Sequence, residues 1–212
     1  MQLTGNTVLV TGGATGIGRD LAESFHWLGN QVIIVGRCHS LLQSVADANP
    51  GMQCLRLDPG DPADIRRFAI ELPARYPGLD LVINNVLCAA CAERRVPGGP
   101  ETAPDIETIG PLGPMRLIAA VLPTLATRPC AAIVNVTCDV AGVPKAATPR
   151  YRVTRAALRA YGRLLRYQLR DSSVRVIDVT HRGCGPGSAP ASPAGVSAAR
   201  RAAPVLSRVG AA

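Results

Sequence analysis

Short apolar runs rich in β-branched residues alternate with stretches of helix length, and this order constrains the fold more than any other feature of the chain. The runs TVLV, QVIIV, MQCLRLD, LDLVINN, AAIVNVT and VRVIDVT are separated by helix-length segments over 16–28, 40–48, 62–72, about 105–126 and about 150–170. None of the runs alternates strictly between apolar and polar, so both faces of each strand are expected to be covered. That is the condition of a parallel sheet with helices on either side. The class read from it is α/β, a doubly wound parallel sheet in a single domain.

Local signals agree with this order. Asp61 is placed to cap a helix whose first position is Pro62, and Gly29 to stop the first helix before the second run. The segment GPLGP at 110–114 sits where a long helix is expected, and an interior proline costs about 3 kcal/mol, so a break or a delayed start is predicted there. The domain is read as residues 1–182. Residues 183–212 form an Ala/Gly/Pro-rich tail with a weak helix around Val196 to Leu206 and are expected to be partly mobile.

Composition narrows the function classes. A chain of 212 residues with 47% apolar content can bury a core of its own. It has no apolar run of the roughly 18 residues needed to span a bilayer, and its start, MQLTGNTVLV, lacks a signal-peptide pattern, so it reads as cytoplasmic and without membrane partners. Seven cysteines fit reduced thiols. Cys88 and Cys91 form a CxxC, but no second pair or nearby histidine completes a zinc site, and no metal is expected. The net charge of +8 comes from 22 arginines and a single lysine, Lys145, a bias spread over the whole chain that is weak evidence for an acidic partner. With two Phe and one Trp there are too few stacking aromatics to favour nucleic acid.

The first run leads into TGGATGIG, Thr11 to Gly18, which opens a helix. A glycine loop between a first strand and a first helix is the context in which such a loop binds a dinucleotide: Gly12 permits the turn, Gly16 lets the backbone approach a pyrophosphate, and Gly18 lets helix and strand pack closely. Gly12, Thr15, Gly16, Ile17 and Gly18 are the candidate cofactor-binding residues here. The second run ends in VIIVGR, where an acidic residue would select NAD. Gly36 leaves room instead and Arg37 offers a cation for a 2′-phosphate, which favours NADP (NADPH) over NAD. Asp58, Asn84 and Asn85 end the third and fourth runs and are placed to line the crevice at the strand ends.

The later segment CDVAGVPKAATPRYRVTR, 138–155, has the outline of a proton-transfer site. Together with TGxxxGIG at 11–18, the paired asparagines at 84 and 85 and the tyrosine at 151, it makes the chain resemble the short-chain dehydrogenase/reductase family, in its first 85 residues closest to the bacterial DltE-like group. The resemblance runs to about residue 182. It implies a Rossmann-like single domain and reversible hydride transfer between NAD(P) and a carbonyl or alcohol. It also implies Tyr151 as catalytic acid and base, with two helpers that are altered here: Cys138 stands thirteen positions before the tyrosine where the family has serine, and Arg155 stands for the lysine of YxxxK. The family's NNAG reads NNVL, with Val86 and Leu87; its helix-four asparagine corresponds to Gly110; its PG after the sixth strand is His181 and Arg182. The departures gather at the nicotinamide end, while the pyrophosphate end is intact.

Arg152, Arg155, Arg159, Arg163, Arg166 and Arg170 follow three- and four-residue spacing and are expected to share one helix face, a solvated surface or one that meets an anionic substrate. The leading expectation is an NADP-dependent oxidoreductase acting on a small carbonyl or alcohol with an atypical site. A non-redox cyclase or isomerase on the same fold and a non-catalytic cofactor-binding protein stand as alternatives. Relatives commonly dimerise through the two long helices, which makes a homodimer the expected assembly.

Overall fold

The computed structural model describes residues 2–85, 108–138, 149–181 and 196–211. Its elements follow the sequence order: β1 Thr7–Thr11, α1 Gly16–Trp27, β2 Gln31–Gly36, α2 His39–Ala48, β3 Gln53–Arg56, α3 Pro62–Arg75 and β4 Leu79–Asn84, then α4 Gly113–Ala126, β5 Ala131–Cys138, α5 Pro149–Gln168, β6 Val174–His181 and α6 Val196–Gly210. The six described strands are parallel and stand in the order β3-β2-β1-β4-β5-β6. The order reverses between β1 and β4, the switch point at which an open α/β sheet leaves a crevice at its carboxyl edge.

Both faces of the sheet are covered because the strands are apolar on both. On one face Val8, Val10, Ile34, Ile83 and Val134 pack with Leu21 and Phe25 of α1, Leu42 of α2 and Val205 of α6. On the other, Leu9, Ile33, Val82 and Ile133 pack with Phe68 of α3, Leu117 and Val121 of α4 and Leu165 of α5. Each fully buried large side chain of this kind stabilises the fold by about 1.5–3 kcal/mol.

The punctuation read from the sequence is in place. Asp61 accepts the Ala63 N–H at 2.8 Å ahead of Pro62, and Gly29, at φ 79°, follows the end of α1. Of the helical region expected from about 105, residues 105–107 lie outside the described residues. A π-helical turn spans Thr108–Leu112 around Pro111, and α4 begins only at Gly113 with Pro114 in its first turn, where a missing N–H breaks no hydrogen bond. The weak helix expected at Val196 to Leu206 runs on to Gly210. Its Ala202, Val205 and Val209 are buried in the same cluster as α1, so this part of the tail is packed onto the domain. Residues 183–195 of the tail, and Arg182 before it, lie outside the described residues.

Among the described residues no helix is long and apolar enough to cross a membrane, and no three His, Cys, Asp or Glu side chains are grouped to hold a metal. The CxxC cysteines lie outside the described residues.

Candidate active site

The crevice is built where β1 and β4 end side by side. The buried hydroxyl of Thr11 accepts the Asn85 N–H at 2.8 Å and donates to the Ile83 carbonyl at 3.3 Å, which ties the two strand ends together. Above this tie the glycine loop turns: Gly12 and Gly16 adopt φ 65° and 53°, backbone that side-chain-bearing residues rarely take. Gly18 has no space for a side chain, since a β-carbon there would lie 2.2 Å from the Gly12 carbonyl oxygen and 2.5 Å from Asn85 Nδ2. Ile17 packs against the core behind the loop.

Thr15 is the N-cap of α1 in extended conformation, yet it makes no side-chain cap, and the first turn carries no acidic residue. The first N–H groups of a twelve-residue helix are thus uncapped and point out of the crevice end of the sheet, with the positive end of the helix dipole behind them. Asn85 Oδ1, buried below, also has no hydrogen-bond partner among the described residues. The set of donors, the close backbone and a first turn without an acidic residue fit an anionic diphosphate.

Arg37 and Asp58 leave neighbouring strands. Gly36 and Arg56 are register partners and Leu57 N–H donates to the Gly36 carbonyl, so the turns after β2 and β3 stand together at the adenosine side of the crevice. Arg37 is exposed. Asp58 is half-buried, with Oδ1 accepting the Gly60 N–H at 2.9 Å and its own N–H donated to Asp64 Oδ2 at 2.7 Å. Cys38, next to Arg37, is an exposed thiol at the start of α2 that the sequence reading passed over. The Ser40 hydroxyl at 3.3 Å and then the Leu41 N–H hold its pKa below the ordinary cysteine value.

Of the segment 138–155 expected to carry proton transfer, residues 139–148 lie outside the described residues. Tyr151 lies in the first turn of α5, and Cys138 is the last residue of β5; their side chains lie outside the described residues. The backbone of Cys138 is the register partner of His181 at the end of β6, a neighbour that sequence reading does not reveal because 43 positions separate the two. Arg155 is fully described and almost wholly buried, 2% exposed, so of the two altered helpers it is built into the interior. Val86 and Leu87 lie outside the described residues. Gly110 sits in the π-helical turn against α5, where a β-carbon would lie 3.0 Å from Thr154 Cβ, so a larger residue at this position requires Thr154 to give by a few tenths of an ångström.

The arginine series does not form one solvated face. Arg155 is buried and Arg159 half-buried, whereas Arg163 is exposed. Arg166 pairs with Asp178 Oδ2 at 2.8 Å and Arg170 with Asp171, its guanidinium 4.5 Å from the Tyr167 ring. The three- and four-residue spacing keeps the series on one side of α5, and its burial falls along the helix, from buried Arg155 through half-buried Arg159 to exposed Arg163, Arg166 and Arg170. The Arg152 side chain lies outside the described residues.

The family model described as short chain dehydrogenase matches residues 6–187. The chain belongs to the short-chain dehydrogenase family. It is 36% identical to the uncharacterised oxidoreductase DltE of Bacillus subtilis over 84% of this chain and 71% of that protein. It is 31% identical to the NADP-dependent 3-hydroxy acid dehydrogenase YdfG of Salmonella typhi over 81% and 70% of the two chains. Among solved structures, a short chain dehydrogenase of Shigella flexneri complexed with NADP superposes with a TM-score of 0.76 at 25% identity, covering 85% of this chain and 79% of that one. The short-chain dehydrogenase fold and the nicotinamide-cofactor oxidoreductase class are therefore properties of this chain, in agreement with the glycine loop and strand order.

Proposed function

We propose that this short-chain dehydrogenase uses NADP and acts on a small carbonyl or alcohol through an atypical proton-transfer set. The observation that carries the reading is the uncapped start of α1 over the Gly12–Gly18 cradle, with exposed Arg37 one strand away. Gly12, Thr15, Gly16, Ile17 and Gly18 would hold the diphosphate, Arg37 the 2′-phosphate, and Asp58, Asn84 and Asn85 the crevice walls. NADPH, when bound, supplies the hydride. Similarity to NADP-dependent 3-hydroxy acid dehydrogenases supports the cofactor preference and makes hydroxy acids, which are anionic alcohols, the substrate class to test first.

In this reading Tyr151 gives its proton to the developing alkoxide during reduction. Arg155 keeps a cation in the site that favours the phenolate, but a guanidinium does not release a proton, so it cannot pass one on as an ammonium does. Cys138 is a weaker hydrogen-bond donor than serine and stabilises an oxyanion less. Slower chemistry than that of a member with the full serine, tyrosine and lysine set follows. The reading includes a cytoplasmic location and a homodimer: α5 exposes Val153, Leu164 and Tyr167, an apolar strip that a second copy would cover.

The test is titration with NADPH and NADH, followed by turnover. Arg37→Ala is expected to weaken NADPH about tenfold, through loss of a charge-assisted contact, and to leave NADH unchanged. Tyr151→Phe is expected to abolish cofactor-dependent turnover. Turnover that survives Tyr151→Phe would remove the proposed acid, and binding of NADPH without any turnover would favour a non-redox or non-catalytic role.

A further inference from the structure

Asn84 on β4, Asn135 on β5 and Asp178 on β6 are register partners across three strands. Their side chains are hydrogen-bonded in series: Asn84 Nδ2 donates to Asn135 Oδ1 at 3.1 Å, and Asn135 Nδ2 donates to Asp178 Oδ1 at 3.1 Å. Asn84 and Asn135 are buried at 1% and 0% exposure, an unusual content for a sheet whose neighbouring positions are Val and Ile. Asp178 stands at the sheet edge, where its second oxygen accepts from Arg166 Nη2 at 2.8 Å. Helix α5 rests directly on the row. A β-carbon at Gly162 would lie 2.5 Å from Asp178 Oδ1 and 3.1 Å from Asn135 Nδ2, and one turn later Arg166 Nε donates to the Val176 carbonyl at 2.9 Å.

The row has a direction, and its chemistry sets which one. An ionised carboxylate only accepts, so Asp178 demands an N–H from Asn135. The Asn135 oxygen then faces Asn84, which must offer its own N–H. The Asn84 oxygen is left over. An amide row without the carboxylate could be flipped from end to end with equal satisfaction, because each amide carries both a donor and an acceptor. Asn84 Oδ1 is buried and has no hydrogen-bond partner among the described residues, an unfavourable state that a donor would relieve. It belongs to the last residue of β4, beside the reversal of strand order where the crevice opens.

We propose that Asp178 is a positioning residue which, through Asn135, sets Asn84 Oδ1 as a fixed hydrogen-bond acceptor at the crevice for a donor that enters with the cofactor or as a bound water. Only the cofactor as source of that donor rests on the NADP reading; the direction of the row does not. The Asp178 carboxylate thereby acts on the crevice through two amides, while Arg166 pairs only with its second oxygen.

The experiment reads the side-chain amide signals of Asn84 and Asn135 in the full chain by nuclear magnetic resonance. Asp178→Asn keeps the shape of the carboxylate but can donate, so the row loses its direction. Both amides are expected to shift, and the Asn84 amide to exchange with solvent about fivefold faster, the release of one neutral hydrogen bond. Arg166→Met removes the ion pair and keeps the carboxylate, and the Asn84 amide is expected to stay within about twofold of wild type, as for loss of an exposed pair. Equal effects of the two variants, or an unchanged Asn84 amide in Asp178→Asn, would overturn the proposal. The wild-type chain gives a second test that needs no variant to fold. Asn84 signals that move on addition of NADPH identify a donor borne by the cofactor, and a persistent contact to water identifies a bound water. The absence of both overturns the acceptor role. A chain that shows the water contact and does not bind NADPH sustains the proposal while removing the NADP reading.

Discussion

Gly18 and Gly12 approach so closely that the Gly12 carbonyl oxygen occupies the place of a Gly18 β-carbon, at 2.2 Å. The Gly12 carbonyl is backbone directly after β1 and cannot give without moving that strand end, whereas the second obstruction, Asn85 Nδ2, is a side-chain atom that can turn aside. Gly18→Ala is therefore expected to destabilise the fold by about 1–3 kcal/mol, the usual range for overpacking, and to weaken NADPH by more than about tenfold. Gly36→Ala serves as the comparison, since its β-carbon would meet only Leu42 at 3.8 Å, and its melting temperature is expected to stay near wild type. Thermal melts and cofactor titration of the two variants check this; equal melting temperatures would refute the close approach.

The seat of α5 makes a second prediction. A methyl group at 162 would press on Asp178 and Asn135, so Gly162→Ala is expected to lift the helix from β6 and cost about 1–3 kcal/mol. The same helix carries Tyr151 and Arg155, and a helix shifted at its seat misplaces them both. Turnover should fall by more than the loss of folded protein explains, measured as kcat per folded enzyme at a temperature well below the melt.

Thiol reactivity distinguishes two cysteines. Ser40 and the Leu41 N–H lower the pKa of Cys38, whereas burial and then the charge of Asp47 raise that of Cys54. Iodoacetamide at neutral pH is expected to label Cys38 well before Cys54, because the thiolate is the reacting form. Saturating NADPH is expected to slow labelling of Cys38, which adjoins Arg37 at the crevice. Peptide mass mapping over time reads both effects, and an unprotected Cys38 would place the cofactor elsewhere.

Asp64 couples stability to acid. Burial pushes its carboxyl up, but the Asp58 N–H at 2.7 Å and Arg67 at 2.6 Å together outweigh it, so its folded pKa lies below the ordinary value. A depressed folded pKa means the stabilisation is present above the unfolded value of about 3.9 and is lost as pH falls through the folded one. Asp64→Asn is expected to lower stability by about 1 kcal/mol at neutral pH, with the gap from wild type closing below about pH 4. Denaturant melts at several pH values measure that gap; a gap constant down to pH 3 would show that the carboxylate charge is not its origin.

Much of the fold was legible because strand, helix and cap signals are local. The runs TVLV to VRVIDVT became β1 to β6, Asp61 and Pro62 opened α3, and GPLGP broke the regular helix into a π-helical turn ahead of α4, each through the chemistry of neighbouring residues. The glycine loop was legible for the same reason: a short segment between one strand and one helix carries its own geometry. The arginine series shares one side of α5 as its spacing predicts but is not solvated throughout, because periodicity tells which residues line up along a helix and not what each of them packs against. Arg155 is buried and Arg166 is paired for reasons that lie on β6 and in the packing of α5.

The sequence by itself determined the class of fold, the position of the glycine loop and the family, since all three depend on patterns within short stretches. Tertiary structure alone decided that Asn84, Asn135 and Asp178 stand in one row, that Gly110 meets Thr154, and that α6 closes over α1. Those relationships arise from parallel register and helix docking, which join residues tens of positions apart, and no local propensity records such a distance.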